Sequence, residues 1–125
     1  ATNRRDGPPQ MRPIWYDYDG GVISMWTSID TAKLRNIMRD SRVSFCIQDE
    51  AWPYRGVTVQ GRAEIIHRGR GSVPKGQKIA HRYIGEEAGD RFVDLITDES
   101  YVILTVTPEK FASWDNTKAP PYSEK

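Results

Sequence analysis

The sequence predicts a mainly β protein of the α+β class, a small antiparallel barrel of six strands carrying short helices. Three observations predict it. Short alternating or β-branched runs recur between Gly, Pro and Asp turn clusters, as in consecutive hairpins. Helical periodicity is confined to brief stretches after Ser28 and after Pro74. No internal repeat is present, and 125 residues make one domain. That domain is expected over residues 1–115, with a loose tail over 116–125 from the Pro120-Pro121 region.

Residues 1–5 read as strand, followed by a strong turn at Asp6-Gly7-Pro8-Pro9. The chain opens at Ala1, without Met, in what reads as mid-strand, so a preceding helix and strand start are expected. Gln10 to Tyr18 is the next strand, and Pro13 marks it as an edge or a bulge, where no ladder donor is needed. Asp19-Gly20-Gly21 is a hairpin turn, since Gly tolerates positive φ. Val22 to Thr27 carries apolar groups on both faces, Val22 and Trp26 on one, Ile23 and Met25 on the other. It should be covered on both sides. A short helix follows, capped by Asp30 or Ser28, with Leu34, Ile37 and Met38 as its buried face.

Val43, Phe45 and Ile47 alternate as a half-buried strand should, and Asp49 to Pro53 is a loop. Tyr54 to Ile66 is the longest strand, with Val57, Val59, Ala63 and Ile65 on one face and Gly61 as a bulge or close backbone approach. His67 to Gly76 is a Gly- and Arg-rich loop. A helix is expected over Lys75 to Ile84, with Pro74 in its first turn and Ile79, Ala80, Tyr83 and Ile84 on one side. Gly85 and Gly89 interrupt before a second short helix through Phe92, Leu95 and Ile96. Tyr101 to Thr107 is a strand, Pro108 punctuates, and Lys110 to Trp114 forms a last short strand.

One residue breaks the local rules. Lys33 sits in the first helical turn, near the positive end of the helix dipole, where a carboxylate is preferred. A bound anion would explain it: free N–H groups, the hydroxyls of Thr27, Ser28 and Thr31, and the Lys33 ammonium would converge on a phosphate. The plainer account is a Lys reaching into water at a cost of roughly a few tenths of a kcal/mol. If Gln10–Tyr18 pairs with Val22–Thr27, Arg12 also approaches this site, with Trp15 or Trp26 near a planar ring.

Other chemistry is poorly supported. The net charge of +1 gives no strong basic balance for nucleic acid, and the run Arg68 to Gly71 with Lys75 and Lys78 reads as a solvated loop. A single cysteine, Cys46, rules out an internal disulfide and fits a reducing cytoplasm. His67 and His81 lack metal-ligand spacing, and no G-x-S-x-G elbow is present. No apolar run reaches membrane-spanning length. Four Trp and six Tyr are many large aromatics for this length, so several should line a pocket or an interface.

Arg5 to Gln10, Pro13-Ile14-Trp15, Thr27 with Lys33 to Asn36, Arg39 to Val43 and Gly61 to Glu64 together resemble the pyridoxamine 5′-phosphate oxidase-like flavoproteins. Within that superfamily the chain is similar to the flavin/deazaflavin oxidoreductases, many of which use coenzyme F420. The likeness runs from Ala1 to about Glu64 and resumes over Tyr101–Asp115. It implies a six-stranded antiparallel split β-barrel of the FMN-binding type, and a homodimer with two cofactor sites at the subunit interface. Arg12, Pro13, Ile14 and Trp15 would flank the ring and phosphate of FMN or F420, with Trp26, Thr27 and Ser28 on the adjacent strand. Lys33, with Ala32 and Arg35, would hold the phosphate. Tyr54, Arg55, Gly56 and Trp114 of a partner subunit would close the site. Arg4, Arg5, Arg39, Arg42 and Arg55 would suit an acidic cofactor tail, or are ordinary surface charges. Gly56 replaces the Gln of the B6 oxidases, and their Arg- and Trp-rich tail is missing, so vitamin B6 is not the expected substrate. The implied activity is hydride transfer to a small enone, quinone or tetrapyrrole, with no catalytic side chain named because the ring carries the hydride. The rival expectation is a non-catalytic module that stores or senses flavin or haem on the same fold.

Overall fold

The structure, a computed structural model, describes residues 1–96 and 100–118. The expected tail lies outside the described residues from 119 onward. Strand β1 (Tyr16–Asp19) turns into β2 (Val22–Ser28) through Gly20 and Gly21, both at positive φ. Helix α1 (Ala32–Arg39) follows, then β3 (Arg42–Gln48) and β4 (Arg55–Arg68). A 3-10 turn (Gly69–Ser72) leads into α2 (Val73–Leu95), and β5 (Tyr101–Asp115) closes the order.

The strands form one antiparallel sheet in the order β1-β2-β5-β4-β3. The expected closed barrel of six strands is therefore corrected to an open sheet of five. The expected strand over residues 1–5 survives as single bridges from Thr2 to Gln10 and to Val43. The expected strand Gln10–Tyr18 joins the sheet from Tyr16 onward, because Pro13 has no amide to offer a ladder. An open seam separates the chain entering β1 from the edge of β3, and Thr2 bridges it at one end.

Three other expectations change. The two strands expected around Pro108 are one, since β5 pairs with β2 only over Tyr101–Val106 and beyond that has β4 on one side alone. A missing amide there costs no ladder bond. Pro108 pairs with Gly61 at a register shift, where a Cβ on Gly61 would come within 2.7 Å of the Thr107 carbonyl oxygen. The expected loop over 67–76 is mostly regular structure, with β4 running to Arg68 and α2 starting at Val73. The two expected helices are one run broken at Gly85 (φ 85°, ψ 172°), a backbone state that favours Gly. Ile96 lies just beyond it.

The sheet carries a core on each face. On one, α1 sets Leu34 and Ile37 against Ala63, Val102, Leu104 and Val106, with Met25 and Phe45 packed alongside. On the other, α2 sets Ile79 against Trp26 and Ile103, with Trp15 and Phe92 packed alongside. Met25 and Trp26 are adjacent in β2, so the pleat sends them to opposite cores. Each fully buried aliphatic side chain contributes about 1.5–3 kcal/mol. Met38, expected on the buried face of α1, is 63% exposed, and Asn36 takes the third buried position.

Candidate anion and ring site in the open seam

Helix α1 begins without a side-chain cap. Its N-cap is Thr31, not Asp30 or Ser28, and the Thr31 hydroxyl donates back to the Ser28 carbonyl at 2.8 Å. The Ser28 hydroxyl oxygen accepts from the Asp30 amide at 3.3 Å instead. No acidic residue stands in the first turn. The first turn of the helix thus carries no carboxylate of its own.

Lys33 is half-buried there. Burial, and then the nearby Arg12 guanidinium, pull its pKa below the ordinary lysine value. Arg12 and Lys33 jointly line a small cavity of about 70 Å³ with Ile14, Met25, Ile37 and Phe45. Among the described residues neither cation has a carboxylate partner. Two cations drawn together beside a helix start, one of them partly desolvated, fit a phosphate.

The cavity adjoins a cleft of about 690 Å³ that shares Arg12, Ile14 and Met25 with it. This cleft is the seam of the sheet. Met11 to Ile14 and Tyr16 form one wall, β3 from Ser44 to Gln48 the opposite one, and Tyr83 of α2 contributes a side. It is apolar at Ile14, Met25, Phe45, Ile47 and Val59, as a planar ring requires.

The expected site residues divide. Arg12, Pro13, Ile14 and Lys33 line the seam or its inner cavity. Ala32 is half-buried beside Lys33 in the first turn of α1. Arg35 is exposed and donates to the Asp30 carbonyl at 3.4 Å. Thr27 is buried at the end of β2 and Ser28 is half-buried beside it. Trp15 and Trp26 are placed in the α2 core, on the other face of the sheet. Trp15 stacks on Tyr83 at 5.1 Å, and the buried Trp26 indole N–H donates to Ser72 Oγ at 2.9 Å. Gly76 lies flat against the Trp26 ring. Arg55 and Gly56 line another cavity, of about 620 Å³, with Trp114 and with Tyr16, Ile47 and Gln48, which also line the seam cleft. There Arg55 Nε donates to Asp49 at 2.7 Å, and a Cβ on Gly56 would overlap the Trp114 ring. Within one chain, then, Arg55 and Gly56 do not join Arg12 and Lys33.

Sequence reasoning missed two residues. Asn36 donates to Thr2 Oγ1 at 3.1 Å and to Gln10 Oε1 at 3.2 Å, and accepts from Arg39 at 3.1 Å. It ties the start of the chain to α1, beside the cavity. In the sequence Tyr83 reads only as part of a helix face, and the structure adds it to the lining of the seam. Neither position carries a local signal, because each partner lies far along the chain.

Among the described residues no group of three or more His, Cys, Asp or Glu could hold a metal ion, and no helix is long and apolar enough to cross a membrane. None of the curated proteins matches the chain in sequence. Solved structures do. A conserved hypothetical protein from Mycobacterium tuberculosis is similar at 29% identity and a TM-score of 0.74, over 91% of this chain and 73% of that one. A protein described as an F420 reductase is similar at 26% identity and a TM-score of 0.68, over 89% and 84%. The haem storage protein of Vibrio cholerae shares the fold, at 15% identity and a TM-score of 0.66 over 91% and 81%. The family model for pyridoxamine 5′-phosphate oxidase matches residues 1–115. With an open antiparallel sheet and that match over nearly its whole length, the chain belongs to the pyridoxamine 5′-phosphate oxidase family.

Proposed function

We propose that the protein is a dimeric oxidoreductase that moves hydride between a bound F420 or FMN and a small organic acceptor such as an enone, a quinone or a tetrapyrrole. The observation that carries this reading is the Arg12–Lys33 pair, two cations converging on the uncapped start of α1 at the inner end of an apolar cleft. Similarity to the F420 reductase at 26% identity supports the redox class. When bound, the ring supplies two electrons and a hydrogen as hydride, the second proton of the reduction coming from solvent. Arg12 and Lys33 neutralise the phosphate, and the α1 amides add donors. Ile14, Phe45 and Val59 exclude water from the ring.

A second copy of the chain belongs to this reading. Phe111 is 69% exposed, Trp52 55% and Tyr54 38%, an apolar load that a partner would cover. The partner would also bring its own Arg55 and Gly56 edge to this chain's seam. A non-catalytic storage or sensing module is the rival, and the haem form of it has little support here, since neither His67 nor His81 lines the seam.

Absorbance titration with FMN and with F420 tests the reading. Micromolar binding of one of them is expected, and binding of neither overturns it. Lys33→Ala is expected to weaken that binding by about 1.5–3 kcal/mol, the range for a hydrogen bond to a charged group. Unchanged affinity removes Lys33 from the site. A bound cofactor whose reduced form no enone, quinone or tetrapyrrole reoxidises favours the storage module.

A further inference from the structure

The hydrogen bonds beside the cavity of Arg12 and Lys33 run in one direction, and Asn36 sets it. Asn36 lies on α1, one turn after Lys33, and is buried. Its Oδ1 accepts from Arg39 Nη2 at 3.1 Å. A guanidinium has donors and no acceptor, so the amide atom facing Arg39 must be the oxygen. Arg39 is anchored in turn, donating to the Asn3 carbonyl at 2.8 Å. Asn36 Nδ2 therefore faces the other way, donating to Thr2 Oγ1 at 3.1 Å and to Gln10 Oε1 at 3.2 Å. Both of its hydrogens are used.

This polarity passes to the two partners. Thr2 and Gln10 exchange backbone hydrogen bonds of 2.9 Å in both directions, so their side chains leave the same face of the bridge. Gln10 commits its amide oxygen to Asn36, which leaves its two Nε2 hydrogens, and among the described residues no acceptor takes them. The Thr2 hydroxyl accepts from Asn36 and so keeps its own hydrogen for another partner. Thr2 and Gln10 line the same cavity of about 70 Å³ as Arg12 and Lys33. Hydrogen-bond donors are thus added where two cations already meet. An anion with several oxygens matches both, whereas an apolar or cationic guest matches neither.

We propose that Gln10 is a further anion-binding residue of this cavity, donating from Nε2 to the cofactor phosphate, and that Asn36 is the positioning residue that turns it to do so. The inference rests on the seam being the cofactor site. It adds to Arg12 and Lys33 a neutral donor whose direction is set from α1.

The test reverses the polarity. Asn36→Asp keeps the shape and the acceptor for Arg39 but has no hydrogens for Gln10. The Gln10 amide must then turn its nitrogen to position 36 and its oxygen to the cavity. Gln10→Glu places a carboxylate there directly. FMN and F420 affinities are measured for both variants, for Gln10→Leu, and for Asn36→Asp in the Gln10→Leu background. The rise in melting temperature given by inorganic phosphate, at matched ionic strength, is measured for each. Asn36→Asp and Gln10→Glu are each expected to weaken the bound cofactor tenfold or more and to lose the phosphate-dependent rise. In the Gln10→Leu background Asn36→Asp is expected to cost threefold or less, because nothing is left for it to position. An equal cost in both backgrounds, or wild-type affinity in either single variant, overturns the proposal. If wild type binds neither cofactor, the functional reading fails by that result, and the phosphate-dependent rise alone decides the Gln10 assignment. A rise in wild type that Gln10→Glu loses supports it; no rise in wild type, or an equal rise in both, overturns it. Where Asn36→Asp fails to fold by circular dichroism, the order of affinities decides: wild type above Gln10→Leu above Gln10→Glu is expected, and any other order overturns the assignment.

Discussion

Lys33 carries two opposing consequences. Burial first, and the Arg12 guanidinium second, lower its pKa in the folded chain, whereas the unfolded chain holds that proton up to about pH 10.4. Between those two values the unfolded state binds more protons, so this residue's contribution to stability improves as pH rises through that window. Below it, at neutral pH, the charged Lys33 is a liability for the cofactor-free fold. A bound phosphate reverses the sign, favouring the charged form. Lys33→Met is therefore expected to raise the melting temperature of the cofactor-free protein at pH 7 while weakening cofactor binding. Melts at pH 7 and pH 10 check it: the advantage should shrink at the higher pH, and no gain at pH 7 would show that the cation is not strained. The oddity of Lys33 was legible in the sequence because a helix start, its missing carboxylate and its lysine lie within a few residues. Its convergence with Arg12 was legible only through the assumed pairing of two strands. The tie from Asn36 to Thr2 and Gln10 had no local sign, since those partners are brought to it by the fold.

Elements packed across the sheet tell a different story from elements read along it. Helix α2 approaches β2 so closely that a Cβ on Gly76 would overlap the Trp26 ring. Gly76→Ala is expected to destabilise the protein by about 1–3 kcal/mol or more, the cost of overpacking, and to alter the near-ultraviolet dichroism of Trp26. A denaturant midpoint unchanged from wild type would show that α2 can retreat without cost. The approach explains why Trp26 is a core residue. Alternation in β2 correctly separates Met25 from Trp26, but alternation does not say which face meets α1 and which meets α2. The same reasoning covers Trp15, which α2 takes through Tyr83 and Phe92. The break at Gly85 and the entry at Pro74 were readable, being local backbone constraints. The continuity of β5 through Pro108 was not, because it depends on β2 ending its pairing at Val106.

The molecule presents an open sheet whose seam is lined by Arg12 beside the Lys33 cavity, and an apolar surface on β5 at Phe111. Phe111 pairs with Val59, yet Val59 is 3% exposed and Phe111 is 69% exposed. A second copy covering Phe111 would complete both features at once. Phe111→Asp is expected to shift the protein from dimer to monomer in sedimentation velocity and to weaken cofactor binding in parallel. A monomeric wild type, or a variant that remains dimeric with unchanged affinity, would remove this surface from the interface.

Local chemistry along the chain was enough for the family resemblance, the β1–β2 hairpin, the two-sided β2 and the misplaced cation. Turns, caps and periodicity act over a few residues, where sequence and conformation are directly coupled. Packing of distant elements decided the rest. It left the sheet open with five strands and sent Trp15 and Trp26 to α2. It also brought Arg12 to Lys33 and carried Tyr83 from a helix into the seam. Those outcomes depend on which surfaces meet across the fold, and no short stretch of the chain encodes that meeting.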